Sequence, residues 1–198
     1  MAWIVSIVGA GGKTTLAHEL ANKYCGEKKR VLVTTTTHMF IENDTVVTDK
    51  ADDILNRLEA KGYCMAGSQC DEDLAKIKAL PEDVLNEVLS HVDVCIIEAD
   101  GAKHHTIKYP RSYEPVILPM TDEVIVVMGT RDIGKIVKDV VFGYEEAVKH
   151  LGISGEDVVT FEMIQKIVHK GYVLPIRENH TEMEIKVLYS DKNGKWLL

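Results

Sequence analysis

The most restrictive feature of this sequence is a glycine-rich segment, GAGGKTT at residues 9–15, between an apolar run and an amphipathic stretch. Residues Trp3 to Val8 are apolar and largely β-branched, which is typical of a strand buried on both faces. From Thr14 onward the apolar positions recur with the spacing of a helix. Because a second β-branched run follows at residues 30–36, the order of elements predicts a βαβ unit with parallel strands.

The residue types in this segment predict a phosphate-binding loop. Glycines let backbone N–H groups curve around phosphate oxygens, and the N-terminus of the following helix adds the positive end of its dipole. In such loops the lysine reaches the terminal phosphates and the next hydroxyl binds magnesium. The common pattern G-x-x-x-x-G-K-[ST] needs glycine where this chain has Ile7, so the loop is the shorter G-x-x-G-K-T-T, the alternative being a glycine turn with a chance lysine. The residues predicted to bind nucleotide are Gly9, Ala10, Gly11, Gly12, Lys13, Thr14 and Thr15.

A second candidate segment, CIIEADG at residues 95–101, is an apolar run that ends in two carboxylates. An apolar strand ending in an acid is the arrangement that holds magnesium beside a phosphate loop. Residues two apart on a strand share a face, so Glu98 and Asp100 can divide the work between the metal and the attacking group. We expect Thr14, Glu98 and Asp100 to hold Mg²⁺, and Lys13, Glu98 and Asp100 to be catalytic; a purely structural acidic pair is the alternative.

A run of threonines closes the second predicted strand. The carboxyl ends of strands in an open parallel sheet line the ligand crevice. Thr36 and Thr37 are therefore candidates for contact with the metal, its water or a substrate, whereas Thr34 and Thr35 are better explained as ordinary strand residues. His38 is a base, a substrate contact or simply a polar residue at the end of a strand.

Basic residues follow the acidic pair directly. Local positive charge beside a carboxylate pair can clamp a transferring phosphoryl group or an anionic substrate. Lys103 is a candidate catalytic residue, and Lys108 and Glu114 are candidates for substrate contact or switching, with a solvated loop as the alternative. The adjacent His104 and His105 lack the spacing of a metal-binding pair, so no metal is predicted there.

The remaining pattern predicts the α/β class, with an open, mostly parallel sheet and flanking helices in a single P-loop NTPase-like domain over residues 1–198. A small C-terminal hairpin, within a β appendage at 171–198, is predicted from short alternating segments and the turn signal Asn193-Gly194. Further strands are predicted within 91–101 and at 123–129, and helices around 54–58, 74–77, 84–89, 144–151 and 161–168.

Composition excludes several function classes. With 23 Lys and Arg against 31 Asp and Glu, the net charge of −8 argues against a general nucleic-acid or anionic-membrane binder. No apolar run approaches the roughly 20 residues that span a bilayer, and the apolar start lacks the basic residues of a signal peptide. The four cysteines show neither C-x-x-C nor zinc-type spacing, so we expect reduced thiols and a cytoplasmic protein without a membrane anchor.

Four segments together resemble the selenium-dependent hydroxylase accessory protein family, also called YqeC-like. They are IVGAGGKTT (7–15), VLVTTTTHM (31–39), IIEADGAKHHTIKYP (96–110) and EPVILP (114–119). Together these segments extend over about the first two thirds of the chain. Their combination is more specific to the family than the glycine loop alone. Two departures bear on function: Tyr113 stands where a histidine is expected, and the absence of an N-K-x-D segment removes support for guanine specificity.

The resemblance implies a P-loop protein that binds ATP or GTP with Mg²⁺ and serves the maturation of selenium-dependent molybdenum hydroxylases. Its partners would be nucleotide and such a hydroxylase or its cofactor, and a homo-oligomer is compatible with the sequence. The leading hypothesis is an NTPase or NTP-using transferase. One alternative is a nucleotide-gated assembly factor or carrier with little catalysis of its own, and another, suggested by a loop similar to that of Mur-ligase-like ATPases, is activation of a carboxylate.

Overall fold

The computed structural model describes residues 1–180 and 182–197 of the chain. Ten of the strands in this part form one sheet. The strands are β1 (Trp3–Gly9), β2 (Val31–Thr35), β3 (His38–Phe40), β4 (Thr45–Val47), β5 (Tyr63–Gln69), β6 (Lys76–Lys78), β7 (Val94–Glu98), β8 (Ile107–Lys108), β9 (Glu123–Gly129), β10 (Val141–Phe142), β11 (Glu184–Ser190) and β12 (Trp196–Leu197). The helices are α1 (Lys13–Gly26), α2 (Ala51–Lys61), α3 (Glu82–Leu89), α4 (Val137–Val140), α5 (Tyr144–Leu151), α6 (Phe161–Val168) and α7 (Leu174–Asn179), with a π-helical turn at His169–Val173 between the last two. Alternating strands and helices confirm the predicted α/β class.

The centre of the sheet is parallel, as the sequence predicts. The order is β12-β11-β9-β1-β7-β2-β5-β6-β3, and β4 pairs with β5; β8 and β10 form a separate pair. All neighbours from β11 to β5 run parallel, and antiparallel pairing is confined to β12, β6 and β3 at the two edges. Ile7 of β1 and Thr35 of β2 both pair with Glu98 of β7, so three carboxyl strand ends meet at one point.

Two apolar layers cover the central strands. Successive residues of a strand face opposite sides, and in β1 Ile4 and Val8 belong to one core cluster while Val5 and Ile7 belong to the other. Helix α1 packs on the second cluster through Leu16 and its neighbours. Helices α2, α3, α5, α6 and α7 pack on the first cluster. The continuous apolar runs of the central strands are therefore explained by burial on both faces.

The predicted helix around Leu74 and Ile77 is wrong. Residues Lys76–Lys78 are strand β6, which pairs antiparallel with β3 and β5. Ile77 is fully buried between two lysines that are partly exposed, whereas Leu74 is 74% exposed. The alternation of Lys, Ile and Lys has the period of a strand, whereas the helical spacing of Leu74 and Ile77 rests on only two apolar residues.

The C-terminal third is partly as predicted. The predicted β appendage at 171–198 is wrong in its first part, because residues 172–176 are helical and bury Tyr172, Val173 and Ile176 with helical spacing. The predicted hairpin exists: β11 and β12 are antiparallel and Gly194 lies in their turn with φ 76°. Strand β11 also pairs parallel with β9 along its whole length, so the hairpin extends the main sheet.

No helix within the described residues is long and apolar enough to cross a membrane.

Candidate functional site

The glycine loop, residues 9–15, presents a row of free backbone amides. Helix α1 begins at Lys13 with no side-chain cap on Gly12, and its first internal hydrogen bond is donated by the amide of Leu16. Among hydrogen bonds between described residues, none is donated by the amides of Gly11 to Thr15. Unpaired amides at a helix N-terminus are ready donors to an anion, and the helix dipole adds to the attraction.

The loop is held against the end of β9 so closely that glycine is required. Gly9 and Gly11 adopt φ of 98° and 81°. A Cβ atom on Gly9 would lie 2.0 Å from the carbonyl oxygen of Val127, and one on Gly11 would lie 2.7 Å from the amide nitrogen of Gly129. Left-handed backbone and close approach together explain why these positions are glycine.

Lys13 is buried beneath the loop and its charge is matched by two carboxylates. Its Nζ lies 2.5 Å from Oδ1 of Asp100 and 3.4 Å from Oε1 of Glu98, and it also donates to the carbonyl oxygen of Asp100. Burial lowers the pKa of Lys13, but the two carboxylates more than offset this, so its pKa lies above the ordinary value. The lysine is therefore charged and fixed in place.

Asp100 is fully buried and surrounded by donors. The amide of Gly9 donates to both of its oxygens at 3.1 and 3.0 Å, and the hydroxyl of Tyr172 donates to Oδ2 at 3.1 Å. Lys108 Nζ also lies 3.1 Å from Oδ2. Burial raises the pKa of Asp100, but Lys13 and Lys108 outweigh it and hold that pKa below its ordinary value. Its oxygens are thus occupied by protein donors.

Lys108 continues these contacts toward the segment after Pro110. It is fully buried, lies 3.0 Å from Oε2 of Glu114 and donates to the carbonyl of Gly101 at 2.6 Å. We call the connected group the ion network; it consists of Glu98, Lys13, Asp100, Lys108 and Glu114. Two lysines face three carboxylates in it, so one negative charge is in excess.

Glu98 and Thr14 form the arrangement best suited to magnesium. The Thr14 hydroxyl donates to Oε2 of Glu98 at 3.1 Å, at the entrance of helix α1. Hydroxyl and carboxylate oxygens are ligands that Mg²⁺ prefers, usually one or two of them with phosphates and waters completing the shell. Glu98 is better placed for this than Asp100, because the oxygens of Asp100 already accept bonds from Gly9, Lys13, Lys108 and Tyr172. The metal role of Asp100 stays a prediction.

A cavity of about 880 Å³ opens above the glycine loop. Its walls include the loop from Gly11 to Thr15, Glu98, the segment from Gly101 to Thr106, and Arg131 after β9. Cavities of a few hundred to a thousand Å³ with a few convergent polar groups are the usual form of ligand sites. This one brings together the loop, Glu98 and Lys103 from the predicted set.

A second cavity of about 570 Å³ adjoins the first and shares Lys103 with it. Its lining includes Thr36, Thr37 and Glu114, and also Arg111. The Thr36 hydroxyl donates to the carbonyl of Val116 at 2.7 Å, which ties β2 to the segment after Glu114. The predicted substrate residues therefore line this second cavity, apart from Lys108, which lies in the ion network.

Four cations at the cavity walls form no ion pair with any described carboxylate; they are Lys103, Arg111, Arg131 and Lys192. We call the first three of them the rim cations. Lys103 and Arg111 lie 5.9 and 5.1 Å from the ring centre of Phe142. Lys103 adopts φ of 43°, which is uncommon for a residue with a side chain and concentrates at functional sites.

The C-terminal residues that complete the site were not predicted. Tyr172 of the π-helical turn reaches Asp100, and Ser190 at the end of β11 donates to the carbonyl of Gly11. Trp196 of β12 packs 3.0 Å from the position of a Cβ on Gly12, with its ring nitrogen 2.6 Å from Glu19. These contacts join positions more than 70 residues apart, and no local pattern of the sequence marks them.

Comparison of the sequence with known proteins identifies its family. The YqeC protein family model matches residues 5–145, which include the glycine loop and the ion network. A relative from Escherichia coli (strain K12), named Uncharacterized protein YqeC, is 32% identical over 138 residues, or 66% of this chain. The match spans 53% of the relative, so the chain corresponds to about half of that protein's length. The chain belongs to the YqeC family.

Proposed function

We propose that this chain is a magnesium-dependent nucleotide-binding protein of the P-loop NTPase type, and that it hydrolyses ATP or GTP or transfers a group from it. The observation that carries the proposal is the row of unpaired amides from Gly11 to Thr15 at the start of α1, beside the charged Lys13. Phosphate groups satisfy such donors.

Each residue has a definite task in this proposal. The loop amides and Lys13 bind the β- and γ-phosphates, and Thr14 and Glu98 hold Mg²⁺. An ion held there would supply positive charge that offsets the charge developing on the phosphate oxygens. Asp100 holds Lys13 and the loop amide of Gly9 at fixed positions, and we assign it as a positioning residue. Lys103 lies at the wall shared by both cavities, where it can bind the transferring group.

The second cavity is the proposed place for a second substrate. It adjoins the nucleotide cavity at Lys103 and contains Arg111, a cation that no described carboxylate neutralises. Cationic walls in a chain of net charge −8 favour an anionic acceptor. The resemblance of the sequence to selenium-dependent hydroxylase accessory proteins supports a role in maturation of those molybdenum enzymes, with the hydroxylase or its cofactor as the partner.

A nucleotide-gated assembly factor is the second candidate, and the ion network favours it. The chain of contacts from Lys13 through Asp100 and Lys108 to Glu114 joins the glycine loop to the 109–119 segment. A nucleotide phosphate that draws Lys13 away would therefore alter the charges that hold this segment. In this case, turnover by the isolated protein is slow and rises when the client hydroxylase is added.

The test is calorimetric titration of ATP and of GTP, each with Mg²⁺, into the wild-type protein, Lys13→Ala and Thr14→Ala. Loss of the charged lysine contact should weaken phosphate binding by about 1.5–3 kcal/mol. Turnover, measured as phosphate release, should fall by about 10²-fold or more if the contact strengthens in the transition state. Lys23→Ala, an exposed change on the same helix, is the matched control.

Lys13→Ala removes a charge from the ion network, so it can destabilise the fold as well as weaken binding. Thr14 is not a member of the network, so Thr14→Ala tests the metal site with less effect on folding. Thermal melting in the absence of nucleotide reports whether each variant is folded. Binding that is unchanged in both folded variants would refute the phosphate loop. Absence of binding of either nucleotide to the wild-type protein would refute it equally.

A further inference from the structure

Three potential metal ligands of different chemistry converge on the wall of the first cavity. They are His38 of β3, Cys70 just after β5, and Glu72 in the following turn. Cys70 Sγ lies 3.3 Å from Oε2 of Glu72, and Nε2 of His38 lies 3.8 Å from the same oxygen. All three donor atoms lie within 4.8 Å of one another.

The backbone holds His38 and Cys70 in place independently of any ion. His38 pairs with Lys78 across the antiparallel contact between β3 and β6. Cys70 is 1% exposed, and its amide donates to the carbonyl of Lys76 at 3.2 Å. The ligands therefore come from the start of β3, the end of β5 and the bend after β5, and strand β6 pairs with both β3 and β5 between them.

The donor set is that of a zinc-class site. A thiolate, an imidazole and a carboxylate are the ligands of Zn²⁺, at bond lengths of about 2.0–2.3 Å, and tetrahedral geometry then separates the donors by roughly 3.3–3.7 Å. The Sγ to Oε2 separation of 3.3 Å matches this range, the Nε2 to Oε2 separation of 3.8 Å lies just above it, and all three donor atoms lie within 4.8 Å of one another. Hard ions such as Mg²⁺ prefer oxygen ligands alone, so this site differs in kind from the one at Thr14 and Glu98.

We propose that His38, Cys70 and Glu72 form a binding site for one divalent transition-metal ion of the zinc class, with a fourth position open to the cavity. Three protein ligands and an open position are typical of catalytic rather than structural zinc. The side chain of Glu72 is 81% exposed and that of His38 51%, so water or a donor atom of a second ligand can reach the ion. The site does not depend on nucleotide binding.

The experiment is titration of the full chain with Zn²⁺ and with Co²⁺ under reducing conditions and without nucleotide. One ion per chain and a thiolate-to-cobalt absorption band are expected. Cys70→Ser should remove the band, and His38→Ala and Glu72→Gln should each weaken the affinity by at least about tenfold. Cys25→Ser and His91→Ala, at positions away from the cluster, are the matched controls and should leave both readouts unchanged.

The outcomes separate this site from the phosphate loop. Glu72→Gln changes an exposed side chain, so weaker metal binding by this variant does not arise from misfolding. Lys13→Ala should leave the zinc affinity unchanged, even if nucleotide binding is lost. Binding of no ion, a cobalt spectrum without the thiolate band, or equal affinity in Glu72→Gln and wild type would overturn the proposal.

Discussion

The ion network beneath the glycine loop and the rim cations around the cavities use similar side chains in opposite settings. Lys108 and Asp100 of the network are fully buried, and every charge has a partner of opposite sign. Arg111 and Arg131 of the rim are exposed and pair with no described carboxylate. The charges are therefore neutralised in the buried network and left without a carboxylate partner at the cavity walls, where the proposed ligands would enter.

This difference assigns separate tasks to the two regions. Buried charges are costly to desolvate, and they persist only with close partners and hydrogen bonds. In return, Lys13 and the amide of Gly9 are held against Asp100 before any ligand arrives. The network carries one negative charge in excess, so it does not attract an anion by itself. In the proposed function, the rim cations supply that attraction.

The most damaging way to break the network is Asp100→Asn. The change removes the charge that both buried lysines share and keeps the size of the side chain. Breaking a buried ion pair from one side typically costs about 3–5 kcal/mol. We expect a loss of this order in the free energy of unfolding, measured by urea denaturation.

Asp44→Asn is the matched control for this change. The side chain of Asp44 is 69% exposed and lies 3.5 Å from Arg57 and Lys61. Exposed pairs contribute little, so the expected change is at most about 1 kcal/mol. Equal losses in the two variants would show that burial of Asp100 is not what makes its pairing important.

Acid should weaken the network in a defined pH range. Because the pKa of Asp100 in the folded state lies below the ordinary value of 3.8, the unfolded state binds more protons in acid. The contribution of Asp100 to stability is therefore complete above pH 3.8 and is lost as pH falls through the lower folded pKa. Urea denaturation of wild type and Asp100→Asn between pH 7 and 3 checks this. Their stability difference should shrink only below about pH 4; a difference that is constant to pH 3 contradicts it.

The sequence predicts the central part of this arrangement well and the edges poorly. Residues 9–15 and Glu98 were placed correctly beside each other, because a glycine loop and an acidic strand end are local patterns in a parallel sheet. Strand β5, YCMAGSQ, has no β-branched residue, so the sequence pattern does not predict a strand there. Tyr172 and Ser190 reach the loop only through the order of strands and helices, which no single segment specifies. The role of Lys108 as a buried link between two carboxylates was likewise invisible in the sequence.

A smaller disturbance of the network is Tyr172→Phe, which removes one hydroxyl and keeps the buried ring. Burial and the neighbouring Asp100 raise the pKa of Tyr172 well above its ordinary value, so the hydroxyl remains a donor at neutral pH. Loss of a hydrogen bond to a charged group costs about 1.5 kcal/mol, because Asp100 keeps its other donors. Tyr113→Phe is the control, since Tyr113 is 65% exposed and its hydroxyl contacts only Arg111 among the described residues. Thermal denaturation should show a clear shift for the first variant and none for the second.

Substitution of a rim cation should have the smallest effect on folding and a selective effect on nucleotide binding. Arg131→Ala removes an exposed cation from the wall of the first cavity, so stability should change by no more than about 0.5 kcal/mol. Nucleotide binding should weaken by about fivefold, which corresponds to about 1 kcal/mol, because an exposed charge is partly screened by water. The difference from wild type should shrink as salt concentration rises, since screening acts on exposed charges. Arg177→Ala, an exposed change on α7, is the control. If Arg131→Ala instead destabilised the fold and left nucleotide affinity unchanged, the rim would be structural like the network, and the division of tasks between the two regions would fail.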